Sequence, residues 1–288
     1  MVDFIISGAD GFIGQSLSSH LKLSGFSVYE MKRADGNVQD AQTWLKPPAG
    51  SALIHLAGRS YVPDSWANQA DFLIANVVGT QNAIDFCVRN SMKMVYVSAY
   101  LYGIPECLPI SENHPIRPNN PYASSKYLAE QLCEFASNYR GLSVAILRLF
   151  NVYGPGQTPI FLIPSILKQV SQGDQIFVND LEPKRDYIYI EDVIEAIILT
   201  AQNMPNFSIL NIGFGQSISV RDVVEVIQKY CGTSLPVRSR LEVRNQEISN
   251  VVADIALAHK TVGWKPKIDF DEGIRRMVLG SDKTKGVM

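Results

Sequence analysis

Residues 4–17 read FIISGADGFIGQSL, a short apolar run, a glycine-rich loop and the first turns of an amphipathic pattern. The run belongs to Val2–Ser7 and has the length and texture of a buried strand. Ile13, Leu17 and Leu21 then recur every four residues, the spacing of one helix face. Between them Gly8, Gly11 and Gly14 make a G-x-x-G-x-x-G loop. Glycine lets the backbone turn tightly and approach a pyrophosphate, whose charge meets the amides and dipole of the following helix N-terminus. The stretch therefore predicts a dinucleotide site, with Gly8, Gly11, Phe12, Ile13 and Gly14 against the cofactor. No G-K-[ST] follows, so this loop is not a Walker-type ATP site.

Four more apolar runs follow: Ser27–Met31, Ala52–Leu56, Met94–Val97 and Val144–Leu149. They are nearly continuous rather than alternating, as strands covered on both faces should be. Helical patterns lie between them, one marked by Leu128, Leu132 and Phe135. This alternation predicts an α/β fold, a Rossmann-type doubly wound parallel sheet over residues 1–151. The Pro- and Gly-bearing stretch Tyr153–Pro164 then opens a smaller C-terminal α/β substrate-binding lobe, residues 152–288, from which 187–198 returns to the first lobe. Within that lobe Ser219, with Asp222 three residues on, predicts a capped helix that buries Val223, Val226, Ile227 and Tyr230. Ser281–Met288 is expected to fray.

The 288 residues are 46% hydrophobic and 19% charged, an ordinary globular composition. A net charge of −2 gives no electrostatic case for nucleic acid or an anionic membrane as a partner. No basic-then-apolar leader opens the sequence and no run reaches the ~18–20 apolar residues of a membrane span, so a cytoplasmic location is expected. Cys87, Cys107, Cys133 and Cys231 are scattered without a C-x-x-C pair, and the histidines are dispersed. Reduced thiols and no metal site are expected. His55 is expected to pack at a strand end and His114 to sit in a loop, and Trp44, Trp66 and Trp264 to lie in the core or between lobes.

The second strand candidate ends in Lys32 and Arg33, where an NAD site usually places an acid for the ribose hydroxyls. Two cations suit a 2′-phosphate, so NADP(H) is favoured over NAD(H), with Asp35 as the residue that would reverse the preference. Tyr122 and Lys126 are four apart and share a helix face. A tyrosine is a poor acid–base at neutral pH unless an ammonium and a hydroxyl attend it, and Ser98 offers the hydroxyl.

Seven segments together resemble the extended short-chain dehydrogenase/reductases, specifically the NAD-dependent epimerase/dehydratase family. They are GADGFIG (8–14), IHLAG (54–58), VSAYLYG (97–103), PYASSK (121–126), RLFNVYGPGQ (148–157), RDYIYIEDV (185–193) and GWKP (263–266). Ser7 stands where the family often has threonine. The resemblance implies that Ser98, Tyr122 and Lys126 are the catalytic triad, with Tyr122 and Lys126 also touching the cofactor. It places Leu56, Ala57 and Gly58 against the cofactor, and Asn76 beside it in a mainly structural role. It puts Ser98, Tyr100, Asn151, Arg185 and Arg244 at a nucleotide-diphosphate sugar, the arginine forks facing phosphate oxygens. It also implies a homodimer in which 75–89 and 122–137 build a four-helix bundle.

The family's dehydratases carry Asp-Glu after the hydroxyl residue, and its epimerising reductases a cysteine two residues on. Here Ala99 and Tyr100 occupy these places. Reduction of a 4-keto-6-deoxyhexose by NADPH is therefore the expected chemistry. A 4-epimerase with tightly held NAD is the second reading, and a non-catalytic dinucleotide-binding sensor the third.

Overall fold

The computed structural model describes residues 2–240 and 248–285, the side chains of 281–285 excepted. The first half runs β1 (Val2–Ser7), α1 (Phe12–Leu23), β2 (Val28–Met31), β3 (Gly50–His55), α2 (Val62–Ala67), α3 (Gln69–Leu73), α4 (Gly79–Arg89), β4 (Lys93–Ala99), α5 (Pro121–Arg140) and β5 (Val144–Leu149). There follow β6 (Asn151–Tyr153), α6 (Leu162–Gln172), β7 (Ile176–Val178), β8 (Lys184–Tyr189), α7 (Ile190–Gln202) and β9 (Phe207–Ile212). The chain closes with β10 (Ser217–Ser219), α8 (Val220–Cys231), β11 (Val237–Ser239), α9 (Ala256–Val262) and α10 (Phe270–Lys285).

Six strands form one parallel sheet in the order β2-β1-β3-β4-β5-β9. Its strands alternate between two cores. Phe4, Ile6, Ile54, Val95 and Leu147 pack with Leu17 of α1 and Val193 of α7. Ile5, Leu53, Met94, Tyr96 and Ile146 pack with Ile84 of α4 and Cys133 of α5. Apolar residues on both faces explain the continuous runs of the sequence. The chain steps outward to β2 and returns across β1 to β3, so the connections that leave the carboxyl ends of β1 and β3 run to opposite sides of the sheet, where doubly wound sheets bind ligands.

Beyond β5 a three-stranded sheet, β10-β8-β6, and a pair, β11-β7, stand over that edge. The helix expected at Ser219 is α8; Ser219 and Asp222 cap each other, Val223 and Ile227 are buried, and Val226 and Tyr230 are half-buried. Two expectations need correction. The return to the first sheet starts later and reaches further than 187–198: Tyr187–Tyr189 belong to β8 of the second sheet, pairing with β6, while α7 packs against the first sheet's core and Phe207–Ile212 supplies its sixth strand. Trp44 and Trp264 are buried but Trp66 is 59% exposed, since α2 is a single short helix that buries only Ser65. Helix α10 is described as far as Lys285.

Candidate active site

The glycine loop is a cradle with no room for side chains. A Cβ on Gly14 would lie 2.2 Å from the Gly8 carbonyl oxygen. Gly8 has φ +75°, and a Cβ there would lie 2.8 Å from the Ala57 amide nitrogen. Gly11 caps α1 without a side chain, leaving the helix amides and dipole directed at the loop. A diphosphate fits this cradle.

A cleft of about 790 Å³ runs from the loop along the carboxyl ends of β1, β3, β4 and β5 to the second sheet. Gly8, Gly11, Phe12, Ile13, Gly14, Leu56 and Gly58 line one end. Ser98, Tyr100, Tyr122 and Lys126 line the middle, and Asn151 and Arg185 the far side. Ala57 lies behind the loop, where its amide donates weakly to Ser7 Oγ at 3.4 Å.

Helix α5 presents the central pair. Asn120 caps it, accepting from the Ala123 amide at 2.9 Å, and Pro121 occupies its first turn. Tyr122 and Lys126 consequently fall one above the other on the cleft face. Lys126 is buried; its Nζ donates to the Val97 carbonyl at 2.6 Å and lies 4.2 Å from the Tyr96 ring centroid. Burial pushes its pKa down to about 8, against the opposing pull of the Glu130 carboxylate. Burial likewise pushes the Tyr122 phenol up, so it holds its proton at neutral pH. Ser98 closes the group. Its Oγ is buried and has no hydrogen-bond partner among the described residues.

Two buried networks hold this face, and the sequence pattern disclosed neither in full. Thr80 donates to the Asn76 carbonyl at 2.6 Å and so accepts from His55 Nε2 at 3.2 Å, leaving His55 Nδ1 to accept from Ser7 Oγ at 2.6 Å. Burial lowers the His55 pKa to about 3, fixing the neutral ring. The Asn76 amide donates to Arg59 O and Ser125 Oγ, and its oxygen accepts from the Arg59 amide. Asn76 thus faces away from the cleft and joins the turn after β3 to α5. In the second network Arg148 grips Glu130 of α5 through Nε and Nη2 (2.7 Å at the shortest) and donates to Tyr102 Oη at 2.9 Å. Tyr102 in turn donates to Asn211 of β9 at 2.6 Å. A signal was present: Arg148 interrupts the apolar run VAILRLF, and a charge inside a buried strand must be paired.

Lys32 and Arg33 stand outside the cleft walls, just past the end of β2. Lys32 pairs with Glu30 at 2.8 Å, while Glu30 also takes Lys22 and Ser18 from α1 and so turns toward that helix. The Arg33 amide donates to Asp10 of the glycine loop at 3.2 Å. Asn151 donates to the Asp186 carbonyl at 3.1 Å, and Arg185 Nη1 donates to the carbonyls of Lys184 and Ile248. Arg244 lies outside the described residues. His114 is buried in its loop, where Nε2 accepts from the Glu106 amide at 2.9 Å. Among the described residues no helix is long and apolar enough to cross a membrane, and no three His, Cys, Asp or Glu side chains group as metal ligands.

Residues 4–213 match the sequence model of the NAD dependent epimerase/dehydratase family. GDP-6-deoxy-D-mannose reductase of Pseudomonas aeruginosa is 30% identical over 288 residues, 95% of each chain. UDP-glucose 4-epimerase of Lactobacillus helveticus is 32% identical, covering 91% of this chain and 92% of its own. The solved structure of RMD from Pseudomonas aeruginosa complexed with NADPH superposes with a TM-score of 0.90 at 27% identity, over 99% of this chain and 100% of the other.

Proposed function

The chain belongs to the NAD dependent epimerase/dehydratase family, and from that premise we propose that it reduces the C4 ketone of a nucleoside-diphosphate-linked 4-keto-6-deoxyhexose with NADPH. The observation that carries the reading is the unpartnered Ser98 hydroxyl, buried in the same cleft as Tyr122 and Lys126. The glycine cradle and the N-terminus of α1 would hold the dinucleotide diphosphate, with Leu56 and Gly58 alongside. When bound, the nicotinamide supplies the hydride. Ser98 donates a hydrogen bond to the ketone oxygen, and Tyr122 protonates that oxygen as negative charge develops on it. Lys126, held by the Val97 carbonyl, supports the tyrosine with positive charge and anchors the adjoining ribose. Asn151 and Arg185 hold the sugar nucleotide, Arg185 through its guanidinium fork on phosphate oxygens.

One feature favours reduction over epimerisation. The end of β2 offers Lys32 and Arg33, with its nearest strand carboxylate, Glu30, engaged by α1, and this favours a 2′-phosphate. The second reading, a 4-epimerase retaining NAD, draws on the similarity to UDP-glucose 4-epimerase. The chain is further proposed to form a homodimer through α5, where Leu128, Phe135 and Tyr139 are 45%, 55% and 76% exposed on one stripe, near exposed Ile74 and Val78.

NADPH oxidation with nucleoside-diphosphate 4-keto-6-deoxyhexoses, run beside NADH, tests the proposal. Turnover that prefers NADPH supports it. No consumption of either, with NAD carried through purification, moves the assignment to the epimerase; NADPH binding with no turnover of any nucleotide sugar moves it to a sensor.

A further inference from the structure

We infer that Tyr100 reads the C5–C6 edge of the sugar and selects a C6 methyl group over a C6 hydroxymethyl. The inference rests on the nucleotide-sugar reading above. The Tyr100 amide donates to the Leu149 carbonyl at 3.0 Å, which carries the β4–β5 ladder one residue beyond Ala99. Ser98 and Tyr100 are therefore alternate residues of one extended segment and face the same side, and both line the cleft. An oxygen at Ser98 places the carbons next to C4 beside the Tyr100 ring.

That ring is fixed and presents no polar group of its own. Its hydroxyl donates to the Gly103 carbonyl. It packs against the rings of Tyr102, 5.6 Å away at 65°, and Phe150, 5.5 Å away at 71°, centroid to centroid. The charge of Arg185 acts on the phenol from the far side of the cleft, offsetting part of the upward push of burial on its pKa. A hexose with C4 at Ser98 and its diphosphate at Arg185 thus lays one edge along an aromatic wall. The C2–C3 edge of a hexose carries two polar substituents, which this wall would leave unpartnered. The C5–C6 edge of a 6-deoxy sugar carries a methyl group, which it suits. A C6 hydroxyl in the same place loses water and gains no hydrogen bond. Hydrophobic pockets discriminate against an added hydroxyl by up to about 100-fold.

The test is equilibrium binding to the intact protein with NADP+ present. The probes are pairs that differ only at C6: GDP-6-deoxy-D-mannose against GDP-D-mannose, and UDP-6-deoxy-D-glucose against UDP-D-glucose. In at least one pair the 6-deoxy member should bind about 10- to 100-fold more tightly. Tyr100→Phe keeps the wall and should keep that ratio. Tyr100→Ser opens space and supplies a donor, and should bring the ratio to about one. Equal binding by the unaltered protein, or an unchanged ratio in Tyr100→Ser, overturns the assignment of Tyr100. If Tyr100→Ser fails to fold, the unaltered protein's ratio and that of Tyr100→Phe decide, and a ratio lost in Tyr100→Phe overturns the role of the ring. Failure of both pairs, and of dTDP-6-deoxyglucose with dTDP-glucose, to bind overturns the nucleotide-sugar reading itself. Absence of NADPH turnover with the ratio intact overturns only the reductase.

Discussion

The two sides of the cleft are held by different means. On the side of the glycine loop, strands of four to seven residues lie in a parallel ladder between two apolar cores. On the other side most strands are three residues long, and buried carboxylates take over the work of the ladder. Asp186 accepts from the amides of Phe214, Gly215 and Ala253 at 2.6, 2.9 and 3.0 Å. Asp192 accepts from the amides of Lys267 and Ile268, both at 3.0 Å, and its carbonyl takes Trp264 Nε1. A periodic core makes a rigid platform for the cofactor and for proton transfer. Carboxylate-pinned loops make a wall whose shape depends on a few side chains, which suits the part of a site that recognises a particular sugar nucleotide.

The sharpest way to test this division is through the chemistry on the platform. Tyr122→Phe should lower kcat by about 10²- to 10⁴-fold while the NADPH Kd, read by fluorescence titration, stays within about twofold. Breaking the platform itself comes next. Arg148→Met leaves Glu130 buried without its partner and should cost about 3–5 kcal/mol in denaturant unfolding. On the opposite side, Asp186→Ala orphans three amides and should cost about 2–4 kcal/mol. Its diagnostic effect is a rise in KM for the sugar nucleotide with the NADPH Kd little changed. Equal damage to both ligands would erase the distinction between the two sides.

The smallest effect is on pH. Burial brings Lys126 to about 8, so its charge is complete below that pH and is lost as pH rises through it. Reductive kcat should therefore fall above about pH 8, by up to roughly tenfold per unit, as the support for Tyr122 disappears. A flat profile from pH 7 to 10 would remove Lys126 from that role.

The same contrast governs what is legible in the sequence. Continuous apolar runs locate β1 to β5, and helical spacing alone puts Tyr122 and Lys126 on one face. The sixth strand, Phe207–Ile212, escapes such reading because Ser208 and Asn211 interrupt its apolar pattern. Asn211 is buried there because Tyr102 donates to it and its own amide donates to the Ile110 carbonyl. Long-range pairing of this kind has no local period. Asp186 and Asp192 look like ordinary charges in RDYIYIEDV, and only the fold brings the amides of 214–215, 253 and 267–268 to them. Leu128 and Phe135 are readable as an apolar stripe, but their spacing cannot say that the stripe faces outward.

The most direct test of the central claim follows the hydrogen. NADPH carrying deuterium on the transferable C4 position would be incubated with a nucleoside-diphosphate 4-keto-6-deoxyhexose, and the product sugar analysed by mass spectrometry and NMR. The account predicts one deuterium, at C4 of the sugar, for each NADPH oxidised. A product turned over at C4 without deuterium, or no transfer to any 4-keto sugar, would contradict it.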